Sequence, residues 1–145
     1  MLKDPKAFQK AGQALLGLTA KMKIDKVVGV DSRGFIFAPM LAEKLGAGFI
    51  TVRKSGKLPF HTVSESYDLE YGTGTLEIHS DAIEKGDKVL IHDDVLATGG
   101  TAQAVCKLVE KLGGEVVQCN FLIELTFLKG AEKINGYDKG VLLQY

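Results

Sequence analysis

The chain has 145 residues, and its 18 basic and 18 acidic side chains give a formal net charge of zero at pH 7. This length predicts one domain, residues 1–145, that buries roughly 68–70% of its unfolded surface. The balanced charge and the lack of an apolar stretch near the roughly 20 residues of a membrane span give no reason to expect nucleic acid or a membrane as a partner. Cys106 and Cys119 lie in apolar patterns, which favours reduced thiols in a cytoplasmic protein.

The first half of the chain alternates helix-type and strand-type patterns. Asp4 followed by Pro5 is a typical N-cap and first helical residue, and apolar residues then repeat at helical spacing. The predicted elements are a helix over 5–21, a strand over 26–30, a helix over 34–45 and a strand over 48–52.

The pattern breaks from Arg53 to Tyr67, where polar residues follow no period. A long polar stretch inside a compact domain is usually functional, so we expect a lid loop or mobile hairpin over about 54–68. The predicted elements after it are strands over 69–71, 75–78 and 88–92, a helix over 101–112, and strands over 116–124 and 141–144. Strands that alternate with helices predict an α/β fold with a mostly parallel central sheet flanked by helices.

The segment 88–101 combines a buried-type strand, two carboxylates and a small-residue loop that opens a helix. Asp93 and Asp94 should emerge at the carboxyl end of the strand, where open α/β sheets bind ligands. The loop 98–101, Thr-Gly-Gly-Thr, offers backbone amides at a helix N-terminus, which suits a phosphate. The aspartates suit ribose hydroxyls or a divalent cation. Taken alone, they would more often cap a turn.

A second strand-to-helix turn, Asp-Ser-Arg-Gly at 31–34, carries Arg33 and approachable amides. If the two turns are adjacent, a ligand with an anionic group at each end of a ribose fits both. The alternative is that Asp31 only caps a helix.

Polar residues around the lid form two further groups. The basic cluster of Arg53, Lys54 and Lys57 is either a solvated surface or a set of cations that close over an anionic leaving group. Glu70 and Tyr71 follow the loop, where a returning strand brings a carboxylate to the ligand; the alternative is a surface glutamate beside a half-buried tyrosine.

Five segments together carry a family resemblance that covers the chain in order. They are Val-Asp-Ser-Arg-Gly-Phe (30–35), Val-Arg-Lys-Ser-Gly-Lys-Leu-Pro (52–59), Leu-Glu-Tyr-Gly (69–72), Asp-Asp-Val-Leu-Ala-Thr-Gly-Gly-Thr (93–101) and Ile-Glu-Leu-Thr-Phe-Leu-Lys-Gly (123–130). The chain thereby resembles the type I phosphoribosyltransferases, and among them the adenine phosphoribosyltransferases. The resemblance implies purine salvage in the cytoplasm by a homodimer that uses Mg²⁺ and converts adenine and phosphoribosyl pyrophosphate (PRPP) into AMP and pyrophosphate.

The resemblance also implies roles for matching residues. Glu70 exchanges a proton with adenine and, with Arg33, forms the catalytic pair, while Phe35 borders the base and Tyr71 belongs to the lid. The 5′-phosphate is held by Ala97, Thr98, Gly99, Gly100 and Thr101. Asp93 and Asp94 hold the ribose, and either reaches the metal through water. The pyrophosphate is held by Asp31, Ser32, Arg33, Gly34, Arg53, Lys54 and Lys57, and the Asp31–Ser32 peptide is cis.

Three departures from the family pattern leave alternatives open. His92 replaces an aliphatic residue, and Phe60 stands where glycine is common. The chain starts at the segment that follows a base-covering hood in the family, so we expect weaker adenine binding and poorer purine selectivity. The alternatives to the adenine reaction are a PRPP- or nucleotide-binding protein with little turnover and a transferase for another purine base.

Overall fold

The computed structural model describes residues 1–69 and 71–145, so Glu70 lies outside the described residues. The strands are β1 (Lys26–Val30), β2 (Gly48–Lys54), β3 (Thr62–Asp68), β4 (Thr73–His79), β5 (Lys88–Leu96), β6 (Glu115–Glu124) and β7 (Lys139–Gln144). The α-helices are α1 (Pro5–Gly17), α2 (Ala38–Leu45) and α3 (Gly100–Lys111). Short 3₁₀ turns cover Arg33–Phe35, Thr126–Leu128 and Gly130–Ile134.

The strands form one seven-stranded sheet in the order β3-β4-β2-β1-β5-β6-β7. The strands from β2 across to β7 pair in parallel, whereas β4 is antiparallel to both β2 and β3. The predicted α/β fold with a mostly parallel sheet and flanking helices is confirmed.

Both faces of the central strands are buried. Val28 and Ile91 belong to a core under α3, whereas their neighbours Val27 and Leu90 belong to a second core with Leu15, Phe37 and Leu41 of the α1–α2 side. Adjacent strand residues point to opposite faces, so a continuous apolar run is what a sheet covered on both sides requires. Within residues 1–69 and 71–145, no helix is long and apolar enough to cross a membrane.

The second half of the segment predicted as a lid loop or mobile hairpin forms β3, which is one strand of a hairpin. This strand pairs with β4 from Thr62↔His79 to Asp68↔Thr73. Its residues alternate between exposed and half-buried, so the apolar signal in its sequence is weak. Glu77 of β4 accepts hydrogen bonds from the amide of Gly56 and the hydroxyl of Thr62. The connection between β2 and β3 is therefore shorter than the predicted lid segment 54–68. The predicted strand over 69–71 is wrong at Leu69 and Tyr71, which lie in the turn between β3 and β4.

Several other helix and strand boundaries differ from the predicted ones. The first helix ends at Gly17 rather than at residue 21, and Lys21 has a left-handed φ of 68° that a helix cannot contain. The helix predicted over 34–45 is a 3₁₀ turn followed by α2, which has a proline in its first turn. The motif strand β5 continues to Leu96 rather than ending at residue 92, because β6 pairs with it that far.

Candidate active site

The two motif aspartates lie beyond the carboxyl end of β1. The pairing of β1 with β5 ends at Gly29↔His92, whereas the pairing of β5 with β6 continues to Leu96↔Glu124. Asp93 and Asp94 therefore lie within β5 rather than after it, but beyond the end of its β1 partner. That step in the sheet leaves their side chains beside the turn that follows β1.

The turn 31–34 packs directly against this step. A Cβ atom added to Gly34 would lie 3.0 Å from the carbonyl oxygen of His92 and 3.2 Å from Oδ1 of Asp93, so glycine permits the close approach. Arg33 forms an ion pair with Asp94, with its Nε 2.6 Å from Oδ2. The Asp31–Ser32 peptide bond is cis, as the resemblance implied. The structure thus brings the two strand-to-helix turns together.

Two cavities open at this edge. The larger, of about 420 Å³, is lined by residues that include Ser32, Arg33, Lys54, Asp94 and Tyr67. The smaller, of about 80 Å³, is lined by the loop residues Ala97, Thr98 and Gly99 among others. Asp93 and Thr101 line both cavities. One ligand can therefore extend from the loop cavity across the aspartates to the turn 31–34.

The loop cavity lies at the start of α3. Gly99 precedes the helix with a left-handed φ of 85°, and no side chain among the described residues caps the helix. The first backbone N–H groups of a helix have no partner within it, and they carry part of the positive end of the helix dipole. These amides suit an anion of the size of a phosphate.

Asp93 has an unusual protonation equilibrium. Its pKa is raised from 3.8 to about 7, mainly by burial and also by the negative charge of Asp94, while a hydrogen bond from the Asp94 amide at 2.8 Å opposes the change. Near neutral pH this carboxyl group is therefore present in both protonation states, and a ligand that donates hydrogen bonds or carries a cation favours the ionised one.

The predicted basic cluster divides between two positions. Arg53 Nε and Lys57 Nζ lie 3.1 and 3.5 Å from Asp31 Oδ2, whereas Lys54 lines the larger cavity. Burial of Asp31 opposes its ionisation, but the hydrogen bond from Arg53 and the two positive charges outweigh burial and lower its pKa. The cations are therefore held at the turn 31–34 by a carboxylate that belongs to it.

Three other residues singled out in the sequence, Phe35, Tyr71 and His92, do not line either cavity. Phe35 is half-buried and meets Phe49 edge-on at 6.0 Å, and Tyr71 is 88% exposed in the β3–β4 turn. Glu70, the predicted proton-exchanging group, falls outside the described residues. His92 is fully buried and its Nδ1 lies 2.7 Å from Oδ1 of Asn120, so it is a core residue whose pKa is lowered by burial.

Two features of the site were not predicted from the sequence. Tyr67 lines the larger cavity from β3, and it packs so closely on Gly74 that a Cβ there would lie 2.6 Å from its ring. A glycine inside a strand signals such a close approach, but the predicted strand began at residue 75, and β3 was predicted as part of a lid loop or mobile hairpin. Gly130, at the end of the motif 123–130, contacts the loop residues Ala97 and Gly99. No pattern in the sequence indicates this contact.

The thiols of Cys106 and Cys119 are buried and form no disulfide, as predicted, although their Sγ atoms are only 3.6 Å apart. The hydrogen bond between the two thiols and their burial raise the pKa of Cys119. The Cys119 thiol is therefore held in the unreactive protonated form in the core under α3.

Comparison with known proteins adds family information. The family model for the phosphoribosyl transferase domain matches residues 1–143. The chain is 64% identical to the adenine phosphoribosyltransferase of Christiangramia forsetii over 145 residues, which are 100% of this chain and 85% of that protein. It is similar to the crystal structure of the Thermoanaerobacter pseudethanolicus enzyme of that name, with TM-score 0.97, 51% identity and coverage of 99% and 84%. It is also similar to the Saccharomyces cerevisiae adenine phosphoribosyltransferase complexed with an imino-altritol bisphosphate and adenine, with TM-score 0.91, 44% identity and coverage of 97% and 82%.

Proposed function

We infer the roles of the site residues from one premise: the chain belongs to the phosphoribosyl transferase domain family and, within it, to the adenine phosphoribosyltransferases. The reaction is the transfer of the phosphoribosyl group of PRPP to adenine, with release of pyrophosphate. We propose that PRPP lies across the two joined cavities. The observation that carries this proposal is that Asp93 and Thr101 line both of them.

The two ends of PRPP differ in charge and size, and so do the cavities. The 5′-phosphate would occupy the cavity of about 80 Å³, where the amides at the start of α3 receive it. The ribose would lie over Asp93 and Asp94, whose carboxylates accept hydrogen bonds from its hydroxyls. The pyrophosphate would then reach the turn 31–34 and Lys54 in the cavity of about 420 Å³.

Arg33 would change partners during binding. Its side chain is 72% exposed and paired with Asp94. An ion pair with so exposed a cation contributes only about 0–1 kcal/mol, so a phosphate group displaces the carboxylate at little cost. The exchange would also free Asp94 for the ribose.

Mg²⁺ is proposed as the metal that accompanies PRPP. The residues present fit it, because Asp93 and Asp94 both line the cavity and Mg²⁺ prefers one or two carboxylates completed by phosphate oxygens and water. Asp93 or Asp94 would hold the ion through water, and the bound ion would supply positive charge against the pyrophosphate oxygens. Its charge would also favour the ionised form of Asp93, whose pKa is about 7 in the free protein.

The chemical step needs opposite charges at the two ends of the breaking bond. Negative charge develops on the pyrophosphate, and Arg33 and Lys54 would stabilise it, while positive charge develops on the ribose above the aspartates. On the family resemblance, Glu70 would exchange a proton with adenine as the base attacks, a role that typically contributes about 10²–10⁴-fold. Phe35 would border the base, and Tyr71 would belong to the segment that covers it.

The assembly and location are proposed in the same way. A homodimer is supported by an apolar groove of about 320 Å³ between α1 and α2, lined by residues that include Phe8, Leu16, Phe37 and Met40. The cytoplasm is supported by the two thiols that form no disulfide, since proximal cysteines tend to be oxidised in secreted proteins. Light scattering over a range of concentrations tests the dimer.

The placement of PRPP is tested by titrating the chain separately with AMP, pyrophosphate and PRPP in the presence of Mg²⁺. Thr101→Val removes a hydroxyl at the junction of the cavities while it keeps the shape of the side chain, and it should weaken AMP and PRPP. Ser80→Ala, at an exposed position in the turn that follows β4, serves as a control. Conversion of radiolabelled adenine into AMP is measured beside guanine and hypoxanthine. Equal AMP affinity for Thr101→Val and the unaltered chain would contradict the placement.

A further inference from the structure

The loop that closes the small cavity is crossed by another part of the chain without any side chain between them. A Cβ atom on Gly99 would overlap the carbonyl oxygen of Gly130, and a Cβ atom on Gly130 would overlap the carbonyl oxygen of Ala97. Gly130 is buried, and the contact is backbone against backbone. Any larger residue at 130 must therefore push the two segments apart.

The crossing lies between two hydrogen bonds that join the segment 125–134 to residues on either side of the loop. Before the loop, the amide of Leu125 donates to the carbonyl oxygen of Leu96 at 3.0 Å. After the loop, Gln103 Nε2 on α3 donates to the carbonyl oxygen of Lys133 at 3.2 Å. The contacts follow the same order along both segments.

The far end of the segment is fixed in the core. Ile134 is 2% exposed and belongs to the apolar cluster under α3, and Ala131 packs against that cluster. The segment is thus anchored on a rigid support on one side and touches the loop on the other. A displacement of Gly130 is then expected to move the loop rather than the support.

We infer that the segment 125–134 is the backing that fixes the phosphate loop, and that Gly130 is a positioning residue for the 5′-phosphate. Gly130 need not touch the ligand, because its lack of a side chain lets the loop 97–99 close to the shape of the small cavity. The inference rests on the proposed binding of the 5′-phosphate in that cavity. It assigns the motif 123–130, which the proposed chemistry leaves without a role, to the phosphate end of the site rather than to its pyrophosphate end.

Gly130→Ala tests this assignment. The variant should bind AMP and ribose 5-phosphate at least about tenfold more weakly, since displacements near 1 Å in a binding site have effects of this order. Its affinity for pyrophosphate with Mg²⁺ should not change, because the turn 31–34 is untouched. Gly17→Ala is the matched control, since a Cβ at Gly17 meets nothing within 4 Å and its affinities should remain those of the unaltered chain.

The outcomes separate two failures. If the unaltered chain binds no AMP, the proposed function fails. If it binds AMP and Gly130→Ala binds it equally well, the positioning role fails. Equal losses for AMP and pyrophosphate would indicate general damage and would also overturn the inference.

Hydrogen exchange of the unaltered chain gives a second measurement that does not depend on the variant's folding. Saturating AMP should slow exchange at amides 98–101 and, through the crossing, at amides 128–131. Slowing confined to 98–101 would show that the segment does not move with the loop.

Discussion

Asp93→Asn should make the ligand-free protein more stable while it removes PRPP binding. The carboxyl group of Asp93 is largely buried beside Asp94, and its pKa is raised from 3.8 to about 7. An amide has nearly the same shape, carries no charge, and still accepts the hydrogen bond that the amide of Asp94 donates at 2.8 Å. The substitution therefore removes a buried charge without opening a cavity.

The size of the effect follows from the pKa values. Between pH 3.8 and about 7 the folded protein retains the Asp93 proton, whereas the unfolded chain loses it. An acid whose pKa is raised on folding makes stability fall as pH rises through this window, by about 1.4 kcal/mol per pH unit. Of the range from pH 5 to pH 8, only the part below about pH 7, about two pH units, lies in this window. The difference in free energy of unfolding between Asp93→Asn and the unaltered chain should therefore grow by about 3 kcal/mol over the range.

Urea unfolding of both proteins at pH 5, 6.5 and 8 measures this difference, and PRPP titration at pH 8 measures binding. His92, whose pKa burial lowers, makes stability fall as pH drops below 6.5, but it is present in both proteins and cancels in the comparison. Asp81→Asn, at an exposed position, controls for the loss of one negative charge. A stability difference that stays constant with pH, or a less stable Asp93→Asn at pH 8, would refute the reasoning.

Three other substitutions probe separate parts of the site. Arg33→Ala should weaken pyrophosphate by about tenfold and leave AMP nearly unchanged, since it removes one charged hydrogen bond; titration that shows equal losses would move Arg33 away from the pyrophosphate. Glu70→Gln should lower turnover by about 10²-fold with little change in PRPP affinity, and steady-state kinetics near those of the unaltered chain would exclude proton exchange by Glu70. Phe60 is 86% exposed and has a left-handed φ of 70°, so Phe60→Gly should raise the free energy of unfolding by about 1 kcal/mol; unchanged or lower stability in urea would show that the side chain has a contact worth more than the backbone cost.

The sequence predicted the parallel part of the fold because its strands are buried on both faces. The span Lys26–Val30 was predicted to the residue, since its apolar run ends at polar residues on both sides. The antiparallel edge was harder to predict. Strand β3 reads Thr-Val-Ser-Glu-Ser-Tyr-Asp and is stabilised mainly by its pairing with β4, so its own composition resembles a loop.

Within the site, the sequence was informative where chemistry demands particular side chains and silent where backbone contacts decide. Arg33 and Asp94 were both singled out as polar residues at strand ends, and they lie 2.6 Å apart. The contact of Gly130 with the loop 97–99 joins residues more than 30 positions apart through main-chain atoms alone. A glycine that is required for such a crossing is indistinguishable in sequence from one that only ends a turn.

The ligand-free site is electrically balanced by its own residues, and this balance bears on how PRPP is selected. Asp31 pairs with Arg53 and Lys57, and Asp94 pairs with Arg33, so these three cations already have carboxylate partners. A single phosphate gains little by competing with these pairs, whereas a pyrophosphate carries enough charge to displace Asp94 and recruit Lys54 as well. Because displacement frees the aspartate for the ribose, the two ends of PRPP should strengthen each other's binding. The site should therefore bind a ligand that carries both a ribose and a pyrophosphate more tightly than a ligand that carries either group alone.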